Sequence, residues 1–270
     1  MLALTVTGQQ FLMLRKTKIK IPRNPLIFIS ADGFNYLNSK INSFLKISEI
    51  ELSKGNVIRD WIEKNNIQDN PQLIITHNPG LFIPHAIFNR KYLKSYYKKF
   101  DKINDTDILA TDKSANHINT IIYRLSNTVQ NLKEEYLINS NTIHYQTVFY
   151  DYLVLKNKNN IEKKIYINIH EKSFDIFLFF GEQLQLVNRF PIQNSESYLY
   201  FLYFIIEKNG LKENEFSICF LGEYDIFCKY YDATKLFHNK IEFDKVNTQK
   251  NNNSNTPFLE DLHANYFRNS

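Results

Sequence analysis

The chain has 270 residues, 43% of them apolar and 23% charged, with a formal net charge of +5. That length suits two lobes of ordinary domain size and exceeds what one small core needs, and the balance excludes a disordered or fibrous chain. Two cysteines, Cys219 and Cys228, exclude a disulfide framework or a structural zinc site.

The opening run MLALTVTGQQFLML is interrupted by Gln9 and Gln10, and positive charge follows it instead of preceding it. That is not the pattern of a signal peptide. No stretch is long enough to span a bilayer, so no membrane association is expected and a cytoplasmic location is. Residues 1–25 read as a lead-in closed by KTKIKIPRNP.

LIFIS (26–30) is a compact apolar strand, Asp32-Gly33 a turn, and FNYLN (34–38) the returning strand. Alternation from Ile41 to Leu52 predicts a third strand. Ser53 and Gly55 open a helix whose Val57, Ile58, Trp61 and Ile62 share one face and which ends at Asn65-Asn66. QLIITH (72–77) is a buried strand broken by Asn78-Pro79-Gly80. A basic helix is expected from about Asn89, a strand at DILAT (107–111), and partly helical structure over 113–140. YQTVFYDYLVL (145–155) fits helix or strand, with helix favoured.

After the polar break KNKNN the order restarts. KKIYINI (163–169), FDIFLFF (174–180) and QLQLVNRF (183–190) form a meander with turns at 170–173 and Gly181-Glu182. Ser195 is placed to cap a helix that buries Tyr198, Leu199, Leu202, Ile205 and Ile206 and stops at Gly210. FSICFLG (216–222) is a buried strand, followed by a helix over 224–231 and a strand at KIEF (240–243). TQKNNNSNT is a low-complexity linker before PFLEDLHANYF, which reads as a docked helix or a motif offered to a partner.

Meander, helix, strand, helix, strand, twice over, describes mixed sheets with helices on their faces. This α/β order resembles the actin-like folds, in which two ribonuclease-H-like lobes face each other across a nucleotide cleft. Closer features are Ile83-Pro84 and Ile87-Phe88 before the basic helix, Asn188-Arg189-Phe190 leading into SYLYFLYF, and Gly222 ending the next strand. Together they resemble an uncharacterised Bacteroidota family with a degenerate actin-like fold. The resemblance implies a first lobe over 26–144, a second over 145–246, and a linker with a terminal segment over 247–270.

An actin-like ATPase presents backbone N–H groups and a carboxylate to the phosphates and their metal from a Gly-rich hairpin turn in each lobe, and lays adenine against a further Gly pair. The corresponding candidates are Ser30, Asp32 and Gly33 in the first turn, Ser173 in the second, and Gly222 at the adenosine position. Asp32 is the metal-side carboxylate only if nucleotide binds. Asp32-Gly33 is also what an ordinary hairpin turn uses. The second turn, His170-Glu171-Lys172-Ser173, has no Gly, and Glu171 repels phosphate. No catalytic residue and no resident metal are expected, and Mg-ATP is the one cofactor left open.

His77 and His85 are expected to be surface or turn residues, because their spacing across Pro79-Gly80 does not suit a shared metal. In RKYLKSYYKKF (90–100), Lys91, Lys94 and Lys98 align at helical spacing with Tyr92, Tyr96 and Tyr97 between them. That fits nucleic-acid binding and, more often, an amphipathic helix with its lysines in water. The function expected is a non-catalytic scaffold or assembly partner with an unknown protein partner. Its contact candidates are Lys91, Lys94, Lys98, Phe258, Leu259, Leu262 and Tyr266. A nucleotide-binding ATPase or small-molecule kinase, and an RNA-associated factor, are the alternatives.

Overall fold

Two five-stranded mixed sheets with the same internal strand order form the body of the protein in a computed structural model. The structure describes residues 25–30, 33–38, 42–46, 57–67, 70–104, 107–170, 172–221 and 224–244. The first sheet is built from β1 (Leu26–Ile29), β2 (Gly33–Leu37), β3 (Asn42–Lys46), β4 (Gln72–Ile75) and, much later in the chain, the strand at Asn141–His144. Its order runs β3-β2-β1-β4 and then that last strand, with the meander antiparallel and the other two parallel to β1. Gly33 is required where β2 meets β3, because a Cβ there would lie 2.0 Å from the Leu45 carbonyl oxygen. Helix α1 (Val57–Lys64) packs Trp61 onto this sheet.

Between β4 and the fifth strand the chain inserts a separate three-stranded antiparallel sheet, β5 (Leu81–Pro84), β6 (Ile108–Lys113) and β7 (Asn119–Leu125), ordered β5-β7-β6. This corrects the expected strand order of the first lobe. The strand at DILAT belongs to the insert and not to the lobe's main sheet. The fifth strand of that sheet is β8 (Asn141–His144). The stretch 113–140 is helical in part, as expected, at α3 (Asn127–Glu135), while NTIIYRL forms β7, as its β-branched and aromatic content favours. The basic segment is a 3₁₀ turn at Arg90–Tyr92 running into the short α2 (Leu93–Tyr97).

Helix α4 (Tyr145–Lys156) joins the two halves. It is buried nearly all round. Val148, Phe149 and Leu153 lie in one cluster with Phe28 and Ile74 of the first sheet and with Tyr166, Phe177 and Cys219 of the second. A helix apolar on every side gives no amphipathic stripe, which is why its sequence also fitted a strand.

The second sheet repeats the first: β9 (Lys163–Ile169), β10 (Ser173–Phe180), β11 (Gln183–Pro191), β12 (Phe216–Leu221) and β13 (Ile241–Asp244), in the order β11-β10-β9-β12-β13. Its outer face carries α5 (Ser195–Lys208) and α6 (Tyr224–Lys235). Asn194, one residue before the expected Ser195, caps α5 in a reciprocal box with Ser197. Gly210, at φ +58°, turns the chain out of the helix as expected. Among the described residues no helix is long and apolar enough to cross a membrane.

Candidate functional site

The parallel strands β1, β4, β9 and β12 bring their carboxyl ends toward the junction of the two sheets, where open α/β sheets place ligands. The residues gathered there are not the ones the turn motifs pointed to. Asp175 on β10 and Arg189 on β11 are direct cross-strand partners, and Asp175 is completely buried. Its Oδ1 accepts from Arg189 Nε (3.0 Å), Tyr145 Oη–H (2.8 Å) and Gln146 Nε2 (3.1 Å). Its Oδ2 accepts from His170 Nε2 (2.5 Å) and Asn168 Nδ2 (3.2 Å). Burial alone would raise the Asp175 carboxyl, but the Arg189 guanidinium and His170 hold it well below the usual carboxylate range. Both oxygens are thereby committed.

Arg189 then reaches into the first lobe. Its Nη1 donates to the carbonyl oxygens of Thr76 (3.3 Å) and His77 (3.5 Å), just past β4, while Nη2 donates to Tyr145 Oη (2.6 Å). The guanidinium also lies 4.9 Å from the centre of the Tyr145 ring. Gln146 makes a second bridge, accepting from Gly80 N–H (2.7 Å) with the amide oxygen while its nitrogen serves Asp175.

Beside this pair, His144 is wholly buried, and burial pushes its imidazole down to about 3. The neutral ring suits both its bonds. Nε2–H donates to the Asn78 carbonyl (2.7 Å), and Nδ1 accepts from Gln146 N–H as the N-cap of α4. Asp112, from the inserted sheet, accepts from His144 N–H (2.6 Å), Thr147 Oγ1 (2.8 Å) and Tyr123 Oη (2.9 Å). Burial, chiefly, raises its carboxyl to about 6. A carboxylate at the start of α4 also complements the helix dipole.

The sequence candidates fall elsewhere or do other work. Ser30 and Gly33 close the β1–β2 hairpin, with Ser30 N–H and Oγ–H both donating to the Gly33 carbonyl (3.0 and 3.1 Å). Ser173 closes the β9–β10 hairpin through His170 N–H to its carbonyl (2.8 Å). Those amides serve the turns themselves. Asp32, Gly222, Phe258, Leu259, Leu262 and Tyr266 lie outside the described residues. Lys91, Lys94 and Lys98 are exposed on the inserted segment. Of the tyrosines between them, Tyr97 is fully buried with its hydroxyl toward the Pro79 carbonyl, and Tyr96 donates to the Ile87 carbonyl (3.1 Å).

The two histidines lie at turns, as expected, His77 at the bend after β4 and His85 in a 3₁₀ turn after β5, each half-buried. Both ring nitrogens of His77 are buried, and burial lowers its pKa. His85 bonds Thr120 Oγ1 through Nδ1 (2.8 Å).

Among the described residues, the groups at this junction do not fit Mg-ATP. The buried carboxylate is saturated by protein donors, and the cation that faces it is a side chain that also ties down the opposite lobe. Among the described residues, no three His, Cys, Asp or Glu side chains gather as a metal site.

The fold is shared with solved proteins. A Bacteroides thetaiotaomicron VPI-5482 protein with actin-like ATPase fold and unknown function superposes with a TM-score of 0.71 at 16% identity, covering 90% of this chain and 95% of that one. The PilM–PilN type IV pilus biogenesis complex matches with a TM-score of 0.50 at 8% identity, covering 82% of this chain and 88% of that one. At such identities the likeness is one of fold. No curated protein matches the sequence. The family described as protein of unknown function (DUF3822) matches residues 69–241, well over half the sequence, and the chain belongs to that family.

Proposed function

We propose that the protein is a non-catalytic actin-like scaffold, a cytoplasmic assembly partner whose two lobes are held together by its own side chains in place of a nucleotide. The observation that carries this is Arg189, which pairs with Asp175 in the second lobe and donates to the Thr76 and His77 carbonyls of the first. In a nucleotide-dependent cleft, ligand charge and metal would bridge the lobes. Here a guanidinium supplies the positive charge and the bridging donors, with no ligand to gain or lose.

A rigid body of this shape presents fixed surfaces to a protein partner. The PilM–PilN complex supports such a use, since it is a fold neighbour solved within an assembly. The inserted sheet carries a basic segment whose Lys91, Lys94 and Lys98 are exposed. The RNA reading gains less support, because Tyr96 and Tyr97 are engaged within the fold and are not offered for stacking.

Equilibrium dialysis of the full chain against about 1 mM Mg-ATP tests the proposal. A scaffold retains no nucleotide above the buffer level. Stoichiometric retention overturns the reading and returns the cleft to the ATPase alternative.

A further inference from the structure

An aromatic face on the outside of the second lobe has no cover among the described residues. Tyr200 and Phe204, one turn apart on α5, are 65% and 42% exposed, and Leu236 and Phe237, just after α6, are 79% and 55% exposed. The two elements meet where Tyr203 of α5 packs edge-on against the Phe237 ring at 5.8 Å. Lys208 caps one margin, with its ammonium 5.8 Å from the centre of the Phe204 ring. Large apolar side chains grouped in this way mark an interaction site, whereas scattered ones need no explanation.

We infer that this face is the docking site of the chain's own terminal segment, residues 256–267. Three observations converge on that occupant. First, the chain leaves the described fold at Asp244, at the end of β13, an edge strand of the same sheet that α5 and α6 cover. Second, the tether is long enough. Residues 245–255 span up to about 36 Å at roughly 3.3 Å per residue, and α5, with 14 residues, is only about 21 Å long.

Third, the segment has matching chemistry. Phe258, Leu259, Leu262 and Tyr266 recur at the spacing of one helix face, and Glu260-Asp261 stand between them. Lys208 and Lys235, both exposed near the patch, are available to those carboxylates. A tether of this length supplies an effective concentration of about millimolar order, so the chain's own segment outcompetes the same segment of another copy. A partner that uses this face must displace it. The inference does not depend on whether the cleft binds nucleotide.

Hydrogen exchange of the full chain, read by mass spectrometry, tests it. Amides of 256–267 should exchange at least about tenfold more slowly than the free-peptide rate. Phe204→Glu with Phe237→Glu should abolish that protection while β9–β12 keep theirs. Should that variant unfold, Leu259→Glu with Leu262→Glu, outside the described core, gives the reciprocal reading: faster exchange at 203–208 and 234–238. Free-peptide rates in the unaltered chain overturn the inference. So does protection that survives the surface substitutions, or protection that falls on dilution, which would mean a second copy supplies the segment.

Discussion

Arg189 and Asp175 sit opposite each other on adjacent strands, Nε 3.0 Å from Oδ1, and the guanidinium that neutralises the second lobe's buried carboxylate also donates across to Thr76 and His77 in the first. One side chain thus settles a local charge and joins two lobes. Removing one member of such a pair is far costlier than removing both, since it leaves a charge buried without a partner.

Arg189→Ala is therefore expected to destabilise the protein by about 3–5 kcal/mol in chemical denaturation, by the usual cost of stranding a buried charge. Asp175→Asn with Arg189→Ala should cost clearly less than the sum of the single changes. A coupling of about 1–3 kcal/mol in that cycle is the expected result, and additivity would show that the pair is not linked.

Asp112 gives stability a pH dependence of predictable sign. Its carboxyl is raised to about 6 in the fold, through burial first and the nearby Asp151 charge in addition, opposed by hydrogen bonds from His144, Thr147 and Tyr123. The folded state therefore holds a proton that the unfolded chain releases near pH 4. Stability from this group is present below that value and falls as pH rises to about 6, by up to about 3 kcal/mol. Asp175, held low, stays ionised in the fold, and the slope it adds, of opposite sign, is confined to the acid end of that window, where the unfolded chain takes up its proton. His144, held to about 3 by burial, contributes the opposite sign over the same window, so Asp112→Asn should make stability rise more steeply between pH 4 and 6.5 than in the unaltered chain, as measured by urea midpoints.

Gly33→Ala should disrupt the first meander, because its Cβ would meet the Leu45 carbonyl oxygen at 2.0 Å and that backbone is fixed by β2–β3 pairing. A loss of about 2 kcal/mol or more in melting analysis is expected for such strain. Gly210→Ala is the contrasting control: nothing lies within 4 Å of the added methyl, so only the left-handed backbone is strained, at a cost nearer 1 kcal/mol.

The second lobe was legible in the sequence because its strands are bounded by turn residues and its α5 has a buried stripe and a glycine stop. The first lobe was less so. The insert interrupts the repeat between β4 and β8, and β5 and β8 are four residues each, too short for alternation to declare them. The family resemblance and the actin-like fold were readable, whereas the site was not. Motif reasoning searched the turns for glycine and carboxylate. Asp175 and Arg189 instead stand as lone charges inside the apolar strands FDIFLFF and QLQLVNRF. A charge pair at matching positions of two consecutive strands is the signal that would have found them, since neither is tolerable there alone.

The most direct test of a lobe junction closed by Arg189 is the melting temperature of the full chain with and without millimolar Mg-ATP. A ligand at a hundredfold excess over its dissociation constant stabilises by about 2.7 kcal/mol, a shift of several degrees at most and readily measured. The account predicts superimposable melting curves. A rise that grows with nucleotide concentration would contradict it and show that the cleft opens to admit a ligand.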